Sequence, residues 1–392
     1  MIRRKIEKIK HDLYTRRIFN IFKTVFLVGG YIRDTLLSKV AVDRDYAVNN
    51  DPLRVAQKVQ KIFPGKIIQF RDNLTVRIAL KNGGNLDFTR LHGSIEQDLV
   101  KRDFTINAMA YHHTKGLIDP WGGKQDLRKR CIRATRPENL INDPIRMLRA
   151  FRFKSELGWE IEAETMQVIR HNWGLISQTS LERITFEFVQ LMNGKAFIEA
   201  LRDAQRSGLL KNILSCNNNR LSININNIVQ INDFINASHY KKMLNEEVSQ
   251  ALSKKSMILL TALLNNINIS STLLLINNKC IDFIEFSKKY LGYRRKGVLA
   301  KREFQLFESM KDHLIELGIY SMDGNLLKKI DRYLKVRRKP LLDGHEVANI
   351  TGFSGKQLGR TIKILRMKRY AGDIRNKREA TSFIKSLAKE SQ

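Results

Sequence analysis

Residues Leu27–Val48 read LVGGYIRDTLLSKVAVDRDYAV. An apolar run, Val25 to Val28, leads into this stretch and predicts a buried strand. Gly29 and Gly30 follow, and YIRDTLLSK then has helical spacing with Ile32, Leu36 and Leu37 on one side. The chain returns in VDRDYAV as a second strand. Asp43 and Asp45 lie two apart there. A strand's period of two puts both carboxylates on one face, with Val42, Arg44 and Tyr46 on the other. Two neighbouring carboxylates repel unless a cation sits between them. Hard oxygen donors at this spacing suit Mg²⁺, which takes one or two carboxylates plus substrate phosphates. Glycines where a strand turns into a helix let the backbone approach a phosphate closely. A tight turn explains Gly-Gly alone, and a solvated acidic strand explains Asp-x-Asp alone. In this order and together they point to phosphoryl or nucleotidyl transfer.

The chain has 392 residues, enough for two or more domains with ample core. Its 70 Lys+Arg against 39 Asp+Glu leave a formal charge of +31, which points to a polyanionic partner, nucleic acid being the simplest. Cys131, Cys216 and Cys280 are far apart and form no Cys-x-x-Cys, so neither a disulfide framework nor a zinc knuckle is expected. A reducing cytoplasm is the expected compartment. No apolar run approaches the length of a membrane span, and the basic N-terminus lacks the apolar core of a secretory signal. No membrane partner is expected. The eight histidines show no metal pattern.

Residues 1–22 read as a basic helix or a loose arm. Asp51-Pro52 starts a helix with Leu53, Val55, Ala56 and Val59 as its apolar members, and Pro64-Gly65 ends it. Lys66–Phe70, Thr75–Leu80 and Asn85–Phe88 are strand-like, the last two joined by the turn Asn82-Gly83-Gly84. Asp87 on the last of these strands is a candidate third carboxylate, either completing a metal site or helping the attacking hydroxyl; a strand-end Asp facing water is the alternative. In KRDFTINAMA, Lys101 to Ala110, Asp103 is expected to cap a helix whose Ile106, Ala108 and Met109 face the core. In NDPIRMLRAFRF, Asn142 to Phe153, Asn142 or Asp143 caps a helix with Pro144 in its first turn. Asp143 and Arg146 lie three apart on one face and offer an acceptor and a donor to a nucleobase edge; an ordinary capped helix with an ion pair is the alternative. Arg146, Arg149 and Arg152 recur every third residue.

The strand–GG-x-x-R-D–helix–D-x-D stretch, with Arg33 and Asp34 in place, resembles the signature of DNA polymerase β-type nucleotidyltransferases. More closely it resembles the class II tRNA nucleotidyltransferase (CCA-adding) and bacterial poly(A) polymerase family. The resemblance is specific over about residues 24 to 188 and weaker at 340 to 375. It implies an α+β chain: an N-terminal mixed α/β nucleotidyltransferase head, then an elongated all-helical neck, body and tail. Expected boundaries are an arm at 1–22, a head at 23–134, a base-selecting neck at 135–195, a body at 196–310 and a tRNA-binding tail at 311–392. The resemblance implies that Asp43 and Asp45 hold Mg²⁺, with Asp87 in the catalytic set, and that Gly29, Gly30 and Arg33 hold the triphosphate. It places Arg102, Asp103 and Asn107 around the incoming ribose and phosphates, and Asp143 and Arg146 at the base. Arg149 and Arg152 join them as nucleotide-binding candidates. Lys101 replaces the family's first arginine, and Asn142 replaces a glutamate beside the base readers. A mobile loop is expected around Arg71 and Asp72.

Asp119-Pro120-Trp121-Gly122-Gly123 is read as a shaped structural turn, and Ser180–Phe188 as a supporting helix of the neck. Tyr290, Tyr293, Arg294, Arg295 and Lys296 form a basic-aromatic patch, with ordinary helix packing as the alternative. Gly352-Phe353-x-Gly355 and the basic run through Lys368, Arg369, Arg375, Lys377 and Arg378 resemble the tail of longer tRNA nucleotidyltransferases. The expected function is template-independent addition of CCA to a tRNA 3′ end from CTP and ATP by two-metal catalysis; DNA is not an expected partner. Poly(A) polymerase, CC-only or A-only addition, and a non-catalytic RNA-binding protein are the alternatives.

Overall fold

The structure is a computed structural model that describes residues 2–70, 74–249, 252–294, 300–310 and 313–390. The chain divides into two compact units, residues 1–218 with 268–275, and residues 219–267 with 276–392.

The first unit opens with helices α1 (Ile2–His11) and α2 (Leu13–Ile21). Asp12 caps α2, accepting from the Thr15 backbone N–H at 2.9 Å. Ile9, Ile18 and Phe19 are buried, so the basic N-terminus is a docked helix pair, not a loose arm. The chain continues through β1 (Val25–Val28), α3 (Gly30–Leu36), β2 (Arg44–Val48), α4 (Pro52–Gln60), β3 (Gly65–Gln69), β4 (Thr75–Leu80) and β5 (Asn85–Arg90). It goes on through α5 (Ile95–Leu99), β6 (Ala110–His112), β7 (Gly116–Ile118) and α6 (Gly123–Lys129). Asp51 caps α4 with Pro52 in the first turn, and Val55, Ala56 and Val59 are buried.

Seven strands form one sheet in the order β3-β4-β5-β2-β1-β6-β7. Among the described residues of this sheet only β2 and β5 pair in parallel, and α4, β3 and β4 make the crossover that a parallel pair requires. Register aligns Val28 with Asp45, Asp45 with Asp87, and Asp87 with Arg77. Directly opposed residues share a face, so these four side chains form one row across the sheet. Phe26, Val28, Ala47 and Ala110 lie on that face and pack against Ile95 and Leu99 of α5. On the opposite face the Tyr46 and Phe88 rings stack at 5.4 Å, and the Tyr46 hydroxyl lies 3.1 Å from that of Thr15.

One segment differs from expectation. Residues 101–110 do not form a helix: a single 3-10 turn, Thr105–Asn107, precedes β6. Ile106, Ala108 and Met109 are buried, but so are Thr105 and Asn107; a segment enclosed on every side has no amphipathic period to hold a helix. The Asp119–Gly123 turn in contrast begins α6. Asp119 accepts from the N–H groups of Gly123 at 2.6 Å and Lys124 at 2.9 Å. A side chain on Gly123 would sit 2.3 Å from the Thr105 carbonyl, so only glycine allows this approach.

The unit ends in β8 (Cys131–Ile132), α7 (Pro137–Asn142), α8 (Ile145–Leu157), β9 (Glu160–Ile161), α9 (Ala163–Asn172), α10 (Leu181–Asn193), α11 (Phe197–Arg206) and α12 (Leu209–Leu214). Asn142 closes α7 instead of capping α8. The chain breaks at Asp143, with φ −136°, and Pro144 leads into α8.

The second unit is helical apart from one hairpin. Its elements are α13 (Asn218–Ala237), β10 (Glu247–Ser249), β11 (Leu252–Ser253), α14 (Lys254–Leu263), α15 (Asn278–Arg294), α16 (Ala300–Ser309), α17 (Leu314–Tyr320), α18 (Gly324–Arg338), α19 (Gly344–Thr351), α20 (Gly355–Ala371) and α21 (Lys377–Glu390). Phe304, Phe307, Tyr333 and Tyr370 form an aromatic core. Leu342, Val347, Leu365, Ile374, Ala380 and Ile384 form a second core under α19–α21. An Asp343/Glu346 capping box starts α19, and Gly352 in the left-handed region ends it. The architecture is a mixed α/β N-terminal sheet with a largely helical remainder. Of the expected basic-aromatic patch, Tyr290 is buried. Arg295, Lys296 and the side chains of Tyr293 and Arg294 lie outside the described residues, as do Arg71 and Asp72. The three cysteines are free, and among the described residues no helix is long and apolar enough to cross a membrane.

Candidate active site

The acidic row sits at the centre of the sheet because β2 is flanked by β1 and β5. Asp43 lies just before β2. Its Oδ1 accepts from the Asn85 backbone N–H at 3.0 Å and from the Asn85 side-chain amide at 2.9 Å. Asp45 lies within β2. Burial, reinforced by the neighbouring Asp87 and Asp43 charges, pushes its pKa up to about 6, against the opposing pull of Arg102 and Arg77. A carboxylate strained in this way gains from an added cation. Asp87 is beside Asp45, but both its oxygens are taken by Arg77, at 2.7 Å each.

Gly29 ends β1 with φ +78°, a conformation that favours glycine. A side chain there would lie 2.9 Å from Arg102 Nη1 and 3.3 Å from Asp45 Oδ2. The bare Gly29 backbone therefore leaves a cradle between a guanidinium and the buried carboxylate. Hard oxygen donors beside such a cradle fit a divalent cation with phosphate oxygens completing its shell. Among the described residues no set of three or more His, Cys, Asp or Glu side chains is arranged to hold a metal.

A chain of polar contacts runs from this cradle into the helices that follow. Arg33 binds Asp34 through Nε and Nη2 and donates to Asn107 Oδ1 at 2.6 Å. Asn107 donates to Asp103 at 3.0 Å, and Arg149 of α8 donates twice to Asp103, at 2.9 and 2.7 Å. Arg149 and Arg152 both reach Glu187 of α10 at 2.9 Å. Burial works against the Asp103 charge. The Arg149 charge and the hydrogen bonds from Asn107, Arg149 and the Phe104 N–H overcome it and hold its pKa at about 2. Asp103 is thus a structural tie between the head segment and α8.

A cavity of about 560 Å³ opens between the Arg102–Asp103 segment, α8 and α10. Asp143 and Arg146 line it 3.3 Å apart. Arg146 also donates to the Lys101 carbonyl at 2.6 Å, and Arg183 reaches Asp143 at 3.0 Å. Arg149 lines the same cavity, whereas Arg152 is held inside by Glu156 and Glu187 and is 14 % exposed. Asn142 is exposed on α7. Gly30 opens α3, and a side chain there would lie 3.6 Å from the Arg33 guanidinium. The predicted residues therefore gather into three adjoining groups: the acidic row with the Gly29 cradle, the Arg33–Asn107–Asp103 chain, and the cavity.

Sequence reasoning gave the helix of Arg183 and Phe186 only a supporting role, although both line the cavity, and it passed over Arg77. The spacing of Arg183, Phe186 and Glu187 puts them on one helix face, and Phe186 is 56 % exposed, an available signal of a functional wall. Arg77 carried no local signal, because only strand register sets it opposite Asp87.

Residues 25–93 and 74–133 match the family described as Poly A polymerase head domain, and residues 158–217 match that described as probable RNA and SrmB-binding site of polymerase A. A CC-adding tRNA nucleotidyltransferase of Shouchella clausii is 35% identical over 190 residues, 48% of this chain and 49% of that protein. A CCA-adding enzyme of Bacillus subtilis is 35% identical over 191 residues, 45% of this chain and 48% of that protein. The chain spans about half the length of the curated relatives it matches. Over 98% of both chains it has the fold of a Thermotoga maritima CCA-adding enzyme complexed with tRNA, with a TM-score of 0.75 and 22% identity. A CCA-adding enzyme in complex with ATP gives a TM-score of 0.74 at 22% identity, again over 98% of both chains. Residues 25–133 are thus similar to the Poly A polymerase head domain and residues 158–217 to the RNA-binding segment of that polymerase, and the chain has the fold of CCA-adding enzymes.

Proposed function

We propose that this protein is a template-independent nucleotidyltransferase that completes tRNA 3′ ends with CCA from CTP and ATP. The observation that carries the reading is the Gly29 cradle between Arg102 and the buried Asp45, adjoining a cavity walled by Asp143 and Arg146. Asp43 and Asp45 hold Mg²⁺, which supplies charge neutralisation for the triphosphate and lowers the pKa of the attacking hydroxyl. The open Gly29 backbone and Arg102 bind phosphate oxygens. Asp143 offers an acceptor and Arg146 a donor to the base edge, and Lys101 and Arg183 fix their orientation from either side. The Arg33–Asn107–Asp103–Arg149 chain keeps the cradle and the base-reading wall in register. Poly(A) addition uses the same head and is one alternative. CC-only addition is the second reading, favoured by the CC-adding enzymes among the relatives. The cytoplasm is the proposed compartment.

The test uses tRNA transcripts ending at the discriminator base, at C and at CC, with Mg²⁺ and CTP, ATP or both, read at single-nucleotide resolution. Addition of C, C and A that then stops is expected, and Asp45→Ala abolishes it while the protein stays folded by circular dichroism. A product ending at CC assigns the chain to the CC-adding class, and long A tracts assign it to poly(A) polymerases. No addition by the wild type, or normal turnover by Asp45→Ala, overturns the proposal.

A further inference from the structure

Arg77 and Asp87 face each other across β4 and β5, in register. Arg77 Nε donates to Asp87 Oδ1 and Nη2 to Oδ2, both at 2.7 Å, the two-pronged geometry in which a guanidinium holds a carboxylate most firmly. The Thr75 and Thr89 hydroxyls, 3.1 Å apart two pairs along and on the same face, pin the same strands. The Phe70 ring centroid lies 5.4 Å from the guanidinium carbon and backs Arg77 from the side away from β5. The pair is not a surface accident: the Asp87 side chain is 15% exposed. Asp87 is directly opposite Asp45 in β2, so three carboxylates, Asp43, Asp45 and Asp87, would crowd one end of the row without Arg77. Arg77 also feels the Asp43 and Asp45 charges. Both Asp87 oxygens accept from Arg77, so a cation would compete with the guanidinium charge for them.

We propose that Arg77 is a positioning residue that withholds Asp87 from the cation site, so that Asp43 and Asp45 alone supply its protein carboxylates and the site binds its cation loosely. This inference rests on the reading that Asp43 and Asp45 hold a divalent cation. A third free carboxylate raises both the charge and the denticity of an oxygen-ligand site, and affinity in such sites is tuned over decades by these two quantities. A cation clamped too firmly at a site that must take up and release a metal-bound triphosphate slows turnover. The guanidinium also fixes the Asp87 carboxylate plane beside Asp45, which a point charge on a flexible stem does less well.

The test is a titration of the full chain with Mn²⁺ in the absence of nucleotide, reading free Mn²⁺ by electron paramagnetic resonance. It compares wild type, Arg77→Gln, Arg77→Lys and Arg77→Gln/Asp87→Asn. Arg77→Gln releases Asp87 and is expected to tighten Mn²⁺ binding about tenfold. The double variant, lacking both the clamp and the freed carboxylate, returns to within about twofold of wild type, and Arg77→Lys falls between. The same set is assayed for single-nucleotide addition: Arg77→Gln loses kcat with little change in KM for CTP. Mn²⁺ affinity that is unchanged or weaker in a folded Arg77→Gln chain, or as tight in the double variant as in Arg77→Gln, overturns the inference while leaving the proposed activity standing if the wild type extends tRNA. A wild type that neither binds Mn²⁺ nor extends RNA overturns the parent reading and this one together.

Discussion

Asp103 shows how one buried charge links sequence to function. Its folded pKa of about 2 lies below the ordinary carboxylate value of 3.8, because Arg149, Asn107 and the Phe104 N–H outweigh burial. A carboxylate with a depressed folded pKa stabilises the protein fully above its unfolded pKa. That contribution disappears as pH falls through the folded value, because the unfolded chain takes up the proton first. Asp103 therefore contributes about 2 kcal/mol at neutral pH, lost between pH 4 and pH 2. Asp103→Asn is expected to lower the urea midpoint at pH 7, with the gap to wild type closing as pH falls through that window. A gap that persists to pH 2 contradicts this account. The motif containing Asp103 was legible in the sequence, but its local form was not. KRDFTINAMA offers Asp103 as a cap and Ile106, Ala108 and Met109 as a core-facing side, which fit a helix, and burial of Thr105 and Asn107 as well overrode that pattern.

At the scale of elements, the strand carrying Asp45 is held from behind by the N-terminal helices. Arg44 points to the opposite face and donates to Asp12 at 2.9 and 2.6 Å, lying over the Tyr14 and Tyr31 rings at 4.5 Å each. Both partners of this ion pair are about 10% exposed. Burial opposes the Asp12 charge, but the Arg44 and Thr15 contacts keep its pKa below the usual value. Removing one partner of a buried pair costs about 3–5 kcal/mol, because the other charge is left unpaired. Asp12→Ala is expected to destabilise the first unit by that amount in chemical denaturation, and to reduce nucleotide addition at temperatures where the wild type is folded. Asp12→Ala with wild-type stability contradicts the coupling. The alternation of VDRDYAV made Arg44's direction readable. Its partner, 32 residues away in a segment read as a helix or a loose arm, was not.

At the scale of the whole molecule, the +31 charge favours encounter with a polyanion, and RNA is the proposed one. Binding that neutralises many phosphates releases counterions, so affinity falls steeply with salt. RNA binding by the intact chain is expected to weaken at least about a hundredfold between 50 and 200 mM KCl, as measured by filter retention. A flat salt profile is incompatible with a phosphate-dominated interface. The tail's glycines were visible as sequence signals, Gly352 ending α19 and Gly355 opening α20, whereas the Asp343/Glu346 capping box was not read. The aromatic core of the second unit was not, because its members Phe304, Phe307, Tyr333 and Tyr370 come from three separate helices.

The sequence by itself determined the strands and the glycine turn of the head, the face of β2 on which Asp45 lies, and the helix bearing Arg146. Each follows from local rules: a period of two, a period of 3.6, a proline in a first turn, a glycine where the backbone needs a positive φ. The tertiary structure alone decided which side chains meet. It set Arg77 against Asp87, Arg44 against Asp12 and Arg149 against Asp103, pairs separated by 10, 32 and 46 residues. Strand order, register and helix packing are cooperative properties of the whole unit, and a partner's identity appears only when two distant segments are brought to the same place.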